Sequence, residues 1–439
     1  MVQSILRVLL WVPLAISTYA AAADQPSARP LVKDFLGING HTVLFKPALY
    51  SPVCTLVRDY HPVDWDLAKE TATLPEFPFA KNRVDWSQVY GSWQQAGYRT
   101  NVCLMFDSIP ADRWHDLDAD ASAYGRLFAS QFGPGGKTPR VESVEIGNEP
   151  GKYSDEQYPR IFRAMAKGLR AGDAKLRIAT CNLTTGKSHA YAKSVTTLQG
   201  LTDLLDILTI HTYPELEPYP TWRRSFPEDP RLNYLQDVRA LAQWRDQHAP
   251  GKPIWITEFG YDASTKQPDP KTEFAKWVGV SDEQQAQYLV RSVLLFCNLP
   301  VERAYIYFFN DDDTPHVHGS AGLTRNFVPK PAYYALAHFQ KTLGEYRFSK
   351  VLLEKANEAY AYEFTHARDA SRRIVAVWSP TGSGKTATIS LDLPGWKIAH
   401  AEAMPLTKDT PARLEITDTN TIPLSETPIY LHLRAINRP

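Results

Sequence analysis

Two glutamates each follow an apolar, strand-like run, and they are the first candidates for chemistry. Glu149 stands in the segment Val144–Pro150 (VEIGNEP), and Glu258 stands in Ile254–Gly260 (IWITEFG). A pair of carboxyl groups can cleave a glycosidic bond if one donates a proton to the leaving oxygen while the other attacks carbon or activates water. A single strand-end glutamate is more often part of a rim salt bridge, so the prediction depends on the pair.

The elements that would position these glutamates are eight short apolar runs that alternate with helical patterns between Leu31 and Leu343. Their richness in Val, Ile and Leu is typical of strands buried on both faces. The runs are Asp34–Asn39, Cys54–Tyr60, Arg99–Phe106, Val141–Asn148, Leu176–Leu183, Leu204–Tyr213, Pro253–Phe259 and Arg303–Phe309. The alternation predicts an α/β fold, a (β/α)8 TIM barrel, in which functional groups gather at the carboxyl ends of the strands.

A doubly wound open sheet is the alternative fold. Its first strand would lead into a glycine-rich phosphate turn and then a helix. Gly37–Gly40 lacks the third glycine and a following helix, which favours the barrel.

The sequence also predicts where two helices begin. Ser154 precedes Gln157 and Ser281 precedes Gln284 by three residues, the spacing of a capping box.

The pattern changes near Gly344. Residues 24–343 are predicted to form the barrel, and residues 344–439 a C-terminal antiparallel β-sandwich, because period-two runs without helical patterns follow. These runs are Ala359–Phe364, Arg373–Trp378, Thr386–Leu391 and Ile429–Leu433. Ser379–Thr386 resembles a phosphate loop but starts with serine and precedes a strand, so Gly382–Gly384 is interpreted as a hairpin turn.

The first 23 residues are typical of a secretory signal peptide. A positive residue, Arg7, precedes the apolar run Val8–Ala20, and Ala20–Ala23 offers a small-residue cleavage site. We therefore expect a secreted or periplasmic protein without membrane insertion.

In such a compartment Cys54, Cys103, Cys181 and Cys297 could pair in three ways, and buried free thiols are an equal alternative.

The overall charge narrows the class of partner. The chain has 48 basic and 48 acidic residues and a formal net charge of zero. Nucleic-acid binding needs a basic surplus, so we expect no nucleic-acid partner. The high aromatic content, 12%, could serve either core packing or stacking on sugars. It is the pair of glutamates, and not the composition, that makes a polysaccharide or oligosaccharide the expected substrate. We expect the protein to be a monomer.

The two glutamate motifs together resemble those of the clan A retaining glycoside hydrolases. The likeness extends over the barrel through Val57–Asp59, His211–Tyr213 and Lys330–Tyr333. With its trailing β domain the chain is most similar to family 39, including bacterial biofilm-polysaccharide hydrolases, and family 5 is a neighbouring possibility. The resemblance implies a secreted enzyme that cleaves β-glycosidic bonds by double displacement, preferably within a chain, and that needs no cofactor and no metal.

The resemblance also implies roles for individual residues. Glu149 would be the acid/base and Glu258 the nucleophile. The substrate-binding and supporting residues would be Asn148, Arg58, His211, Tyr213 and Phe309. In the clan a tryptophan at the end of strand eight often stacks against the sugar. This chain has Tyr305–Asn310 at that place, so Phe309 is predicted to provide the stacking ring, with Phe308 as the alternative.

A loop rich in acidic residues and histidines follows the eighth run. Asp311–Asp313 lacks the glycine and the terminal glutamate of a calcium loop, and His316 with His318 lacks a third ligand for zinc. A solvated loop lining the cleft is therefore favoured over a metal site.

A non-catalytic glycan-binding barrel is the alternative function, but such a protein would be expected to have lost one carboxylate. A secreted esterase is disfavoured because no G-x-S-x-G elbow occurs.

Overall fold

The structure is a computed structural model that describes residues 29–67, 71–416, 418–419 and 421–436. The expected signal peptide, residues 1–23, lies outside the described residues. Eight parallel strands form the predicted barrel, and their ends differ from the predicted runs by a few residues. They are β1 Leu36–Gly40, β2 Leu56–Pro62, β3 Arg99–Met105, β4 Ser143–Ile146, β5 Arg177–Thr184, β6 Ile207–His211, β7 Ile254–Phe259 and β8 Arg303–Ile306.

The barrel is closed, because β1 pairs in parallel with both β2 and β8, and every other strand pairs with its two neighbours. Its interior is too narrow for a side chain at Gly37. A Cβ there would lie 2.4 Å from the Tyr305 ring. Because the sheet is closed, the open-sheet alternative is wrong. The carboxyl ends of all eight strands meet at one mouth of the barrel.

Six longer helices cover the barrel. They are α1 Trp86–Gln95, α2 Leu117–Phe132, α3 Gln157–Gly172, α4 Tyr234–His248, α5 Asp282–Asn298 and α6 Pro331–Leu343. Both predicted caps form: Ser281 and Gln284 exchange bonds at the start of α5, and Ser154 and Gln157 do so before α3. The helix between β1 and β2 is the short Pro47–Tyr50. Between β5 and β6 lie the two-residue strand Lys193–Ser194 and the 3-10 turns Val195–Leu198 and Thr202–Leu204.

The C-terminal part is an antiparallel β domain, as predicted. Its strands are β9 Tyr346–Lys355, β10 Ala359–His366, β11 Asp369–Trp378, β12 Ala387–Ile389, β13 Trp396–Ala403, β14 Arg413–Leu414, β15 Ile422–Leu424 and β16 Ile429–Ala435. Six form one sheet in the order β9-β10-β11-β16-β13-β14, and β12 pairs with β15. The interpretation of Gly382–Gly384 as a hairpin turn is wrong, because the flanking strands β11 and β12 do not pair with each other.

The large sheet has two apolar faces, and each faces a different core. Tyr362, Phe364 and Trp378 pack on the barrel, whereas Ala361 and Val377, which alternate with them, face the two-stranded sheet. This alternation follows from the period of two along a strand.

A buried polar junction joins the β domain to the barrel. Glu228 accepts bonds from Arg291 Nε at 2.9 Å and from Trp378 Nε1 at 2.6 Å. Arg291 Nη1 also donates to the Thr381 carbonyl at 2.9 Å. The β domain therefore braces the loop that follows β6 and helix α5.

Within the described residues, no helix is both long and apolar enough to span a membrane. All four cysteines are buried free thiols, so none of the three possible pairings forms.

Candidate active site at the barrel mouth

The two predicted glutamates meet at the carboxyl ends of β4 and β7. Gly147 lets the chain turn directly after β4, because its φ is +88° and the Phe106 ring would lie 3.1 Å from a Cβ there. One carboxyl oxygen of Glu149, one of Glu258 and a ring nitrogen of His211 all lie within 4.8 Å of one another. This short separation fits the roughly 5–5.5 Å spacing of carboxyl groups in retaining glycosidases rather than the roughly 6.5–9.5 Å of inverting ones.

Arg58 organises the base of the site by using all five of its N–H donors. Nε and Nη2 bind the two oxygens of Glu145, each at 2.8 Å. Nη1 donates to Asn39 Oδ1 at 2.9 Å and to Glu258 Oε1 at 3.1 Å, and Nη2 also donates to Asn148 Oδ1 at 2.8 Å. One guanidinium thus fixes the Glu258 carboxylate and turns the Asn148 amide so that its oxygen faces Arg58.

Strand register brings this group together. Asn39 on β1 lies beside Arg58 on β2, and Arg58 lies beside Asn101 on β3. Asn101 Nδ2 in turn donates to Glu145 on β4. Four neighbouring strands therefore supply one buried polar layer just below the two glutamates.

Glu258 is held as a carboxylate by donors on both of its oxygens. Tyr60 donates to Oε1 at 2.6 Å, and Tyr213 donates to Oε2 at 2.8 Å. Burial by itself raises the pKa of Glu258, but the electrostatic effects of His211 and Arg58 and the two phenol donors outweigh it and lower the pKa to about 2. An ionised carboxylate at neutral pH is what a nucleophile needs.

His211 links the two glutamates. Its Nδ1 lies 2.9 Å from Glu149 Oε1 and 3.5 Å from Glu258 Oε2. The Glu149 side chain is 27% exposed, whereas that of Glu258 is only 7% exposed. The more open carboxyl can exchange protons with water and with a leaving group, and the enclosed one cannot do so as readily.

The expectation that Phe309 lines the sugar site is wrong. Its side chain is 2% exposed and packs edge-on against Phe45 and Tyr50 in the core. Tyr307, two residues earlier, is half-buried, and its ring contacts the ring of Tyr60, a donor to Glu258. Residues two apart on an extended strand point to the same side, but the chain leaves the regular strand at Ile306, so the alternation did not predict which ring lies at the mouth.

Asp107 is an additional carboxyl group that the sequence did not single out. It follows β3, and both of its oxygens are buried without a hydrogen bond of ordinary geometry to any described residue. Burial raises the pKa of Asp107 to about 6, and the neighbouring carboxylate of Glu149 adds to the rise. The acid/base candidate thus has a second titratable carboxyl beside it.

The loop 311–318 is tied down by protein groups. Asp311 lies 3.3 Å from Lys330 Nζ, and Asp313 accepts bonds from Thr265. His318 instead packs edge-on against the rings of Tyr213 and Tyr307 at 4.9 and 5.3 Å. The loop therefore lines the cleft, and its acids are engaged in holding it.

A second group of possible metal ligands among the described residues lies in the β domain. It comprises His400, Glu402 and His432. The two imidazole rings are stacked at 4.0 Å with an angle of 14° between their planes. Their lone pairs therefore lie in two nearly parallel planes about one ring spacing apart and do not converge on one ion.

Asn39, Glu145 and Tyr60 are further residues of the site that the sequence analysis does not identify. Glu145 lies inside the same motif as Glu149, four residues earlier, and a buried charge next to a strand end is a usable signal. Tyr60 is the last residue of the predicted strand Cys54–Tyr60. Its position two residues after Arg58 places both on one face of β2, which could have revealed it.

Solved structures with the same fold come from glycoside hydrolases. A family 39 glycoside hydrolase from the gut symbiont Bacteroides cellulosilyticus WH2 matches with a TM-score of 0.66 and 17% identity, over 93% of this chain and 81% of that chain. A glucosidase from Croceicoccus marinus gives a TM-score of 0.61 and 14% identity, over 93% and 98%. The catalytic domain of GH30 xylanase C from Talaromyces cellulolyticus gives 0.58 and 12%, over 93% and 99%.

No protein-family model matches the sequence, and no curated protein matches it significantly. The structural matches confirm the predicted resemblance at the level of the fold: this chain has the barrel and β domain found in a family 39 glycoside hydrolase.

Proposed function

We propose that this protein is a retaining glycoside hydrolase that cleaves β-glycosidic bonds in a polysaccharide or oligosaccharide. The observation that carries the proposal is the close pair of carboxyl groups, Glu149 and Glu258, with only Glu258 clamped as an anion by Arg58, Tyr60 and Tyr213. A barrel that merely bound glycan would have no need to hold one carboxylate ionised beside a second, more open carboxyl.

The reaction begins with attack by a Glu258 oxygen on the anomeric carbon. The bond from that carbon to the leaving oxygen breaks while Glu149 gives its proton to this oxygen, leaving a glycosyl ester on Glu258. Glu149, now a carboxylate, takes a proton from water as the water oxygen attacks the anomeric carbon. The ester bond breaks, Glu258 is again a carboxylate, and Glu149 is again protonated.

The neighbouring side chains support these steps. Asn148, whose oxygen is occupied by Arg58, presents its amide N–H groups for the sugar 2-hydroxyl, a contact that strengthens in the transition state. His211 spans the two carboxyl groups, and the ring of Tyr307 contacts the ring of Tyr60, one of the nucleophile's donors. Action within a chain and export to the periplasm or the medium belong to the same proposal. The first rests on the resemblance to family 39, and the second on the signal-peptide pattern of residues 1–23.

The proposal is tested by a hydrolysis screen of β-linked polysaccharides and aryl β-glycosides, with the product anomer followed by proton NMR. We expect the β-anomer to form first and to mutarotate later. First release of the α-anomer would contradict the retaining mechanism, and hydrolysis of no substrate in the screen would contradict the enzymatic function.

Glu149→Gln is expected to slow substrates with poor leaving groups about 10²–10⁴-fold, the usual contribution of a general acid. Activated aryl glycosides need no protonation of the leaving group, so their first step should be nearly unchanged. The measurement is kcat/KM for a series of aryl glycosides with leaving groups of increasing pKa. Equal slowing across the series would remove Glu149 from the acid role.

Tyr60→Phe is expected to move the low-pH limb of the kcat/KM profile upward by about one to two pH units. Tyr60 bonds to the charged form of Glu258, so its loss raises the pKa of Glu258, and the carboxylate is then protonated at a higher pH. A hydrogen bond to a charged group contributes about 1.5–3 kcal/mol, and 1.36 kcal/mol corresponds to about one pH unit.

Tyr124→Phe is the matched control, because Tyr124 is a buried tyrosine that donates to a different carboxylate, Asp66, at 2.7 Å. It should leave the low-pH limb in place. A profile for Tyr60→Phe that superimposes on this control would show that the phenol does not tune the nucleophile.

A further inference from the structure

A row of aromatic rings continues outward from the nucleophile's side of the mouth. Tyr219 meets Trp222 edge-on at 5.1 Å, Trp222 lies 5.0 Å from Phe274, and Phe274 stacks on His316 at 4.8 Å. The rings come from the loops that follow β6, β7 and β8. Nothing in the proposed reaction uses them.

The row does not serve core packing. Tyr219 is 66% exposed, and Trp222, Phe274 and Tyr219 all lie outside the two main hydrophobic cores formed by the described residues. Trp222 and Phe274 are only partly buried. Large rings held half in water on one side of a cleft need a reason other than the stability of the fold.

The row is also held firmly. The chain from Pro214 to Ser225 folds back on itself, with Leu216 N bonded to the Arg223 carbonyl at 2.8 Å. Arg224 anchors its base through Asp262 at 2.8 Å and the Gly260 carbonyl at 2.9 Å. At its tip, Val278 N donates to the Thr221 carbonyl at 2.9 Å. A ligand would therefore meet preformed ring faces and would not have to order them.

Two contacts connect the row to the candidate catalytic site. Arg224, at the base of the Tyr219 loop, lies over the Tyr213 ring at 4.5 Å, and Tyr213 donates to Glu258. His318, two residues after His316, packs on the same Tyr213 ring. These contacts place the row beside the groups that hold Glu258, on the same side of the mouth.

The edges of the row are polar. Glu217 pairs with Arg223 at 3.0 Å and accepts a bond from Thr221 at 2.9 Å, and these groups flank Tyr219 and Trp222. Apolar faces with hydrogen-bonding groups at their rim match a sugar ring, which has a C–H face and hydroxyl groups around its edge.

We propose that Tyr219, Trp222, Phe274 and His316 form a distal glycan-binding platform that stacks sugar residues of a chain whose scissile bond lies between Glu149 and Glu258. The inference rests on the proposed hydrolase function and deepens it, because it makes the natural substrate a glycan several residues long. Short substrates that occupy only the mouth do not reach the platform.

The test compares Tyr219→Ala, Trp222→Ala and Tyr219→Phe on long and short substrates. The long probes are barley β-glucan, beechwood xylan and konjac glucomannan, and the short probe is the 4-nitrophenyl monoglycoside that the wild type cleaves best. Tyr219→Ala should raise KM for the cleaved polymer about tenfold with kcat within about twofold, a loss within the usual range for one aromatic contact. Tyr219→Phe should keep the wild-type KM, because the ring face remains.

Tyr191→Ala is the matched control, since Tyr191 is 64% exposed on the loop between β5 and β6, outside the row. It should leave the polymer KM unchanged. An unchanged polymer KM in both Tyr219→Ala and Trp222→Ala would overturn the platform. A parallel loss on the monoglycoside would also overturn it, because that result means that the changes disturb Tyr213.

If the wild type cleaves none of the probes, the proposed function fails, and affinity electrophoresis in gels containing the same three polymers decides on the platform separately. Retardation of the wild type that Tyr219→Ala abolishes and Tyr191→Ala retains supports it. Equal migration of wild type and Tyr219→Ala in all three gels overturns it.

Discussion

Glu258→Gln is expected to lower kcat by about four orders of magnitude or more while leaving glycan binding intact. The amide has the size of the carboxylate but neither its charge nor its nucleophilicity, so the ester cannot form. Tyr60 and Arg58 can still donate to the amide oxygen, and the amide N–H can donate to the Tyr213 oxygen, so the mouth keeps its shape. Kinetics on the best substrate measures the first part, and affinity electrophoresis in gels that contain the cleaved polymer measures binding. Circular dichroism checks that the variant is folded.

The control for this variant is Glu358→Gln, which changes an exposed carboxylate in the turn between β9 and β10 that pairs with Lys355. Its rate on aryl glycosides should stay near that of the wild type. Labelling adds a direct readout: a 2-deoxy-2-fluoro aryl glycoside should leave a sugar attached to the peptide that contains Glu258. Turnover by Glu258→Gln close to the wild-type rate, or a label on another carboxylate, would refute the nucleophile assignment.

The barrel and the two glutamates were predictable because their evidence is local in the sequence. A strand buried on both faces is visible as an apolar run, and in a parallel barrel every such run ends at the same mouth. Glu149 and Glu258 directly follow or end such runs, so their meeting required no knowledge of side-chain packing. The same logic placed His211 and Tyr213 at the end of β6.

The polar layer beneath them could not be predicted in this way. Whether Asn39, Arg58 and Glu145 share bonds depends on the stagger between neighbouring strands, which is set by closure of the whole barrel. Phe309, which was expected at the mouth but lies in the core, shows the same limit of prediction from local sequence. The chain leaves regular strand geometry after Ile306, so the inward or outward direction of the following rings is decided by tertiary packing against Phe45 and Tyr50.

Edge strands of the β domain were missed for a different reason. β9 carries register shifts between Phe348 and Lys350 and between Val351 and Leu353. Each shift breaks the alternation of inward and outward side chains, so the period-two signal is lost even though the strand is ten residues long.

Arg58→Met is expected to destabilise the protein by about 3–5 kcal/mol, the usual cost of removing one partner of a buried ion pair. Arg58 and Glu145 are both fully buried and share two bonds, so the variant leaves the Glu145 carboxylate without its counterion. Unfolding in urea, followed by fluorescence, measures the change. A loss below about 1 kcal/mol would mean that water or protonation of Glu145 replaces the pair.

The double variant Arg58→Met/Glu145→Leu separates the stabilising role of Arg58 from its effect on the nucleophile. Removing the stranded carboxylate should restore much of the lost stability, because apolar side chains can replace a buried ion pair at little cost. Activity should not return. Glu258 would still lack the Nη1 donor at Oε1, its pKa would rise, and Asn148 would lose the bond that orients its amide. Recovery of kcat/KM together with stability would show instead that Arg58 acts on the reaction only by keeping the barrel folded.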